Sequence, residues 1–390
     1  MRPRRPLPRH ATEVPGERLA FILVTSPLLQ LPGAVAAEGA DAGVAAHYGR
    51  PAHEQRALAA GEAVVDLSSR GVLRMSGEDR LTWLDSLTSQ RLVGLQPGDS
   101  AETLLLDPSG RIEHAMSVVE DGVALWIVVE AAETAALKAF LERMRFWKQV
   151  EIEDRSGDVA VLAALRDLAE PGPDGGAPLV WHDPWSTGAV GGVTRAATAS
   201  HPGGALPLRL ALVPRTALDG LADRVRAGAL AVAGVDALEA LRVAAWRPRF
   251  AREVDARSIP HELDWLRSAV HLDKGCYRGQ ETVAKVHNLG RPPRRLVQLD
   301  LDGSESVLPA PGSPVLVGDA EVGVVTSSAR HHEDGPIALA VVKRSTPEDA
   351  ALVVRTPEGD VAAAQRVVVP NAGPAVPVPR LPRLGAVPRG

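Results

Sequence analysis

Lys274-Gly275-Cys276-Tyr277-Arg278-Gly279-Gln280-Glu281 holds the only cysteine among 390 residues. Two glycines bracket the thiol, two cations flank it (Lys274, Arg278), and Gln280-Glu281 follow. Thr282 to Leu289 then places Val283, Val286 and Leu289 on one stripe, which predicts a helix. The motif therefore reads as a glycine-rich turn that opens a helix, where φ > 0 and close backbone approach are permitted. A helix N-terminus and neighbouring cations both favour a thiolate, so Cys276 is a candidate reactive group. The competing reading is a small, inert, buried cysteine.

Working outward, Leu241-Arg242-Val243-Ala244-Ala245-Trp246-Arg247-Pro248, Glu253 and Ile259-Pro260-His261-Glu262 lead into the motif. Beyond Gly290-Arg291-Pro292-Pro293 the pattern changes to short strands at 296–301, 314–317, 322–325, 337–342 and 351–355, which predict a small antiparallel barrel or sandwich. Toward the N-terminus a helix is expected near 52–63 and a strand at 71–75. Ser76 with Asp79 reads as a capping box before a helix carrying Leu81, Leu84 and Leu87. Strands at 103–106, 112–119 and 123–129 are separated by Asp107-Pro108-Ser109-Gly110 and Asp121-Gly122 turns. A helix over 131–146 and a strand at 150–153 follow. Strands at 158–166 and 208–213 and helices at 216–228 and 235–246 complete the middle of the chain. The division expected is a basic, disordered extension (1–23), an α+β lobe (24–156), a second α+β lobe carrying the motif (157–290) and free to interleave with the first, a β-barrel (291–370), and a Pro-rich disordered tail (371–390). Val24-Thr25-Ser26-Pro27 reads as an alternative translation start.

Lys-Gly-Cys-Tyr-x-Gly-Gln-Glu resembles the signature of the YgfZ-type folate-binding proteins, relatives of the glycine cleavage T-protein (GcvT, aminomethyltransferase). The resemblance extends over roughly 30–370, through Asp66-Leu67-Ser68, Gly77-Glu78-Asp79, the 104–112 hairpin and the C-terminal strands. It implies an α+β, aminomethyltransferase-like folate-binding fold with a C-terminal antiparallel β-barrel. It also implies tetrahydrofolate, or a one-carbon derivative, as cofactor. Implied reactive residues are Cys276 and Lys274, and implied folate contacts are Tyr277, Gly279, Gln280, Glu281, Arg242 and Glu253. Lys274 would hold the thiol anionic or bind a folate carboxylate. Ala244 and Trp246 depart from the family, standing where it tends to have Glu and Gly. A true aminomethyltransferase uses a hairpin Asp, whose equivalent here falls at His114 or Ala115, with Glu113 one residue out and on the opposite face. The implied function is therefore an accessory protein supporting assembly or repair of iron–sulfur enzymes, including tRNA-modifying ones. A folate-dependent one-carbon transferase and a non-catalytic folate-binding scaffold are the alternatives.

Composition bounds these readings. One cysteine excludes an intrachain disulfide and a Cys-built zinc or iron–sulfur site within one chain, and fits a reducing cytoplasm. No apolar run reaches the ~18 residues of a membrane span. Net charge is −5, with +3 in residues 1–23 and +3 in 371–390, leaving −11 between them. So acidic a body opposes general nucleic-acid binding. His331-His332-Glu333-Asp334 reads as a solvated turn rather than a metal site, Cys276 with His287 lacks the context of a hydrolase, and no nucleotide-binding glycine loop is present.

Overall fold

The computed structural model describes residues 25–371 other than 197, 290, 305 and 306. The expected extension at 1–23, the start at Val24 and the tail beyond Asn371 lie outside the described residues.

Two five-stranded sheets and a closed barrel organise the chain. The first sheet runs Ser100–Leu106, Ile112–Glu120, Ala124–Glu130, Arg70–Ser76, Glu151–Asp154, with every pair antiparallel. Its tight connections are the Asp-Gly turns read from sequence. The second runs Leu179–His182, Arg209–Pro214, Val159–Ala164, Ala63–Asp66, Ala231–Ala233, and its last pair is parallel. Ala63–Asp66 thus leaves the first lobe in sequence to pair in the second in space. The barrel closes through six strands, Arg294–Leu301, Gly335–Lys343, Ala320–His331, Pro314–Val317, Leu352–Thr356 and Gly359–Val367. The fold is α+β with a C-terminal antiparallel barrel.

Several elements differ from the sequence reading for identifiable reasons. The helix expected over 52–63 is Pro51–Ala59, opened by a proline at its first position, where the missing N–H costs nothing. Asp79 does not close a capping box; its carboxylate instead accepts from Lys148 Nζ at 3.1 Å and the Gln149 N–H at 3.0 Å. That tertiary demand outcompetes the local cap of helix Arg80–Leu87. The sixth barrel strand, Gly359–Val367, is built on small alanines and gives little strand signal.

Helix Val235–Ala244 sits where these parts meet. Leu238 and Leu241 pack into the core under the second sheet, whereas Val243 joins a cluster shared with the barrel's Leu296, Ile337 and Leu339. A helix buried on two sides carries its polar groups into the interior, so those groups must be paired.

His261 supplies one titratable brace of this core. It is 1% exposed, and its Nε2–H donates to the Val283 carbonyl at 3.0 Å, tying the motif helix to the segment Pro260–Leu263. Burial, then the nearby Arg195, push its pKa down to about 3. The unfolded chain, with a His near pKa 6.5, takes up the proton first as pH falls. Stability contributed by the neutral ring is therefore complete above about pH 7 and is lost from pH 6.5 downward. The expected loss is about 2 kcal/mol at pH 5. Urea unfolding of the wild type and His261→Asn at pH 7 and pH 5 checks this: the gap between them narrows at pH 5.

Candidate functional site

A half-open cavity of about 120 Å³ is lined by strands of both sheets and by helix Val235–Ala244. Residues Ala115, Met116 and Ser117 of one strand and Val128 to Glu130 of the next border it, Met116 and Val129 packing their side chains into the core with Leu73 and Met75. Trp181, Leu210, Leu238, Phe250 and Trp265 give it flat apolar walls. The polar lining is unusually charged for a buried space, with Arg70, Arg242, Arg247, Arg249, Glu102, Glu130 and Glu239.

Each arginine is held by carboxylates, from remote segments for Arg70, Arg247 and Arg249 and from nearby ones for Arg242. Arg249 donates to Asp41 (2.7 and 2.9 Å), Glu130 (2.8 and 3.0 Å) and Glu239 (3.2 Å), and its backbone N–H reaches Glu253. Burial works to raise Glu130, but Arg70 and Arg249 outweigh it and hold the carboxyl at about 2. Arg242 spends its donors on Glu239, Glu253, Ser327 Oγ and the Arg247 carbonyl. Glu253 also accepts from Thr326 and Ser327 hydroxyls of a barrel strand. The expected folate contacts Arg242 and Glu253 thus form a clamp between helix and barrel. Arg242 borders the cavity with its donors engaged; Glu253 lies behind it.

Arg247 differs. Its Nε donates to Asp183 at 2.9 Å and its Nη2 to Glu102 at 2.6 Å, while its guanidinium sits 5.4 Å from the Trp185 ring and 5.9 Å from the Trp265 ring. Burial pushes Asp183 up to about 6 against the pull of Arg247. Two buried donors on this wall find no acceptor, Arg247 Nη1 and Trp265 Nε1.

The motif loop lies apart from the lining. Lys274, expected beside the thiol, turns inward: its side chain is 2% exposed, and Nζ donates to the carbonyls of Asp85, Thr88 and Gln90 at 2.7–2.8 Å. Burial lowers its pKa, with Asp85 at 3.3 Å opposing. Two of these carbonyls lie at the end of helix Arg80–Leu87, where a cation is favoured. Arg278 pairs with Glu113 at 2.6 Å. Both cations are therefore committed elsewhere than to the thiol. Tyr277 is buried under the Lys274 ammonium, 5.4 Å from it, and joins the core that holds Trp265. Gln280 Nε2 donates to the Lys274 carbonyl at 3.3 Å, and Glu281 is exposed on helix Gln280–Leu289. Gly279 has φ +84°, and a Cβ there would meet the Asp107 carbonyl oxygen at 2.6 Å. The glycine is what lets the loop dock on the 107–112 turn. Cys276 is exposed at the loop's crest.

At the hairpin, Ala115 meets the cavity. His114 turns to Glu133 at 2.9 Å and Glu113 to Arg278, so neither places a catalytic group there. Trp246 adopts φ +58°, its indole donates to Gln298 of the barrel, and its ring meets His201 edge-on at 5.5 Å. Neither it nor Ala244 is part of the cavity lining. Among the described residues no group of three or more His, Cys, Asp or Glu side chains is placed to hold a metal.

Sequence reading missed Glu102, Asp183, Arg247, Arg249, Glu239 and Trp265 as a group. The available signal was charge inside apolar elements, as with Glu102 in the strand Ser100–Leu106.

Residues 29–165 match the GCVT N-terminal domain, and residues 294–371 match the glycine cleavage T-protein C-terminal barrel domain. An aminomethyltransferase of Rippkaea orientalis is 29% identical over 75% of this chain and 81% of its own. A chloroplastic protein of Arabidopsis thaliana, provisionally named a transferase, is 26% identical over 73% of this chain; the match spans 66% of that protein's length. The glycine cleavage system aminomethyltransferase T of Bartonella henselae superposes with a TM-score of 0.70 at 17% identity, covering 88% of this chain and 96% of that one. With both domains matched and the tertiary fold shared, the chain belongs to the aminomethyltransferase-like superfamily.

Proposed function

We propose that this chain binds tetrahydrofolate, or a one-carbon derivative, in the central cavity and supports assembly or repair of iron–sulfur enzymes in the cytoplasm, including tRNA-modifying ones, as a YgfZ-type protein. Cys276 is its reactive group. The observation that carries this reading over aminomethyl transfer is Ala115: the hairpin presents a methyl group, not a carboxylate, to the cavity. The remaining carboxylates there, Glu102, Glu130 and Glu239, are all committed to arginines. Among the described residues that line the cavity, no carboxylate is left free to act as base on a folate-borne amine.

The cavity, of about 120 Å³, has room for the flat bicyclic head of a folate and not for the whole molecule, whose remainder would lie outside it. Trp181, Leu210 and Phe250 offer apolar faces for a flat ring. Bound tetrahydrofolate would supply a one-carbon carrier; the chain supplies its orientation and its exclusion from water. Cys276 is held on a loop pinned by Lys274 and Gly279, and it is exposed to a macromolecular partner. One thiol would provide a single ligand to iron, and the others would have to come from the client.

Two measurements test the reading. Anaerobic calorimetry with tetrahydrofolate is expected to give micromolar or tighter binding, about 8 kcal/mol or more. In cells lacking the protein, the wild type restores the activity of iron–sulfur enzymes and Cys276→Ser does not. Full rescue by Cys276→Ser would leave a folate-binding scaffold. Turnover in an aminomethyl-transfer assay would move the chain to the activity named for its relatives.

A further inference from the structure

We infer that an acidic, alanine-floored groove on the outside of the barrel is a docking site for the chain's own residues 372–390, a segment rich in proline and arginine. The inference stands apart from the folate reading above.

The groove is lined by the end of strand Arg294–Leu301, by strand Gly359–Val367 and by the segment that leads into Leu352–Thr356. Its volume is about 650 Å³, inside the range of about 300–1,000 Å³ typical of ligand-holding clefts. The floor is made of small side chains. Ala362 and Ala364 point outward and are exposed, while Ala363 between them turns into the barrel core, and Ala350 and Ala351 border them. A trough of this kind takes the side chains of Pro, Val and Leu. The rim is acidic. Asp300 is engaged by Arg366 at 2.7 Å, whereas Asp302, Glu348 and Asp349 are exposed and meet no cation among the described residues. Carboxylates around an apolar floor suit a peptide that carries both cations and apolar residues, and they repel an anion.

Position and charge select the occupant. Asn371 is the last described residue; its backbone N–H donates to Glu348 Oε1 and its side-chain amide to the Thr346 carbonyl. The chain is thus tied to the groove's rim at the point from which residues 372–390 continue. Those residues carry Arg380, Arg383 and Arg389 and no acid, so three cations meet three unpaired carboxylates. Pro374, Pro377, Pro379 and Pro382 stand among Val and Leu in the same segment, and their fixed φ angles lower the entropy lost on binding. Covalent linkage beside the groove holds the segment at high local concentration, so individually weak contacts suffice. Residues 1–23 carry the same +3 charge and are the competing occupant that the test separates.

Limited trypsin digestion of the full 390-residue chain at low salt reads the docking. The bonds after Arg380 and Arg383 are the reporters, and the bond after Arg9 is the control. Rates are compared for the wild type, Asp302→Asn/Asp349→Asn and Ala364→Lys, all changed at exposed positions. The double change removes charge and keeps volume, whereas the lysine puts a cation and its stem into the trough. Both variants are expected to be cut after Arg380 and Arg383 about tenfold faster than the wild type. Their rate after Arg9 and their melting temperature stay at the wild-type values. Added salt, about 0.5 M NaCl, raises the wild-type rate toward that of the variants. Equal rates after Arg380 and Arg383 in the wild type and both folded variants overturn the inference. Acceleration after Arg9 instead assigns the groove to residues 1–23. A wild-type rate that rises on dilution of the protein assigns it to the same segment of a second copy. Either result overturns docking within one chain.

Discussion

Replacing Arg249 with Met is expected to lower the unfolding free energy by about 3–5 kcal/mol, enough to bring a protein of ordinary stability close to unfolding. Arg249 is 8% exposed and is the hub through which Asp41, Glu130 and Glu239 are neutralised. Methionine fills most of the volume, so packing is largely kept. What is lost is the counter-charge to three carboxylates in the interior, and their desolvation is then uncompensated. Arg70 and Arg242 remain as partial partners, which keeps the cost from rising further. Equilibrium urea unfolding measures the effect. Arg366→Met is the control: its pair with Asp300 is about half exposed, and the transition midpoint should not move. An Arg249→Met midpoint equal to wild type would show that the network is dispensable.

The second large effect separates the roles of two neighbours. Lys274→Met is expected to cost about 2–4 kcal/mol, because one ammonium satisfies three carbonyls that lie where water reaches poorly. Cys276→Ser, at an exposed crest, is expected to leave stability within about 0.5 kcal/mol of wild type. Limited proteolysis should then cut Lys274→Met, but not Cys276→Ser, within residues 273–280. If Lys274 served chiefly to activate the thiol, the order would reverse: stability would be unchanged and only the thiol's reactivity toward an alkylating reagent would fall.

Local order was legible because its signals are local. The turns at 107–110 and 121–122, the apolar runs of strands Ile112–Glu120 and Ala124–Glu130, and the change of pattern after Pro293 fix the hairpins and the barrel within a few residues. The Cys276 motif was legible as a glycine-rich loop opening a helix, while the clash that bars a side chain at Gly279 comes from the packing on Asp107. The direction of Lys274 was not legible. In sequence it stands two residues from the thiol, yet its partners lie 184 to 189 residues away.

The central cavity shows the same division more sharply. Of Arg242, Arg247 and Arg249 the resemblance singles out only Arg242, and nothing local shows which carboxylates each one meets. In the folded chain Arg249 finds Asp41 across 208 residues and Arg247 finds Glu102 across 145. Sequence by itself determined the hairpins and the C-terminal run of short strands, which follow from residue type and short-range periodicity, while the α+β class and the missing hairpin Asp came from the resemblance to a family. Only the tertiary structure decided which arginine keeps a donor free, because that depends on how many carboxylates from remote strands converge on each guanidinium once water has been excluded.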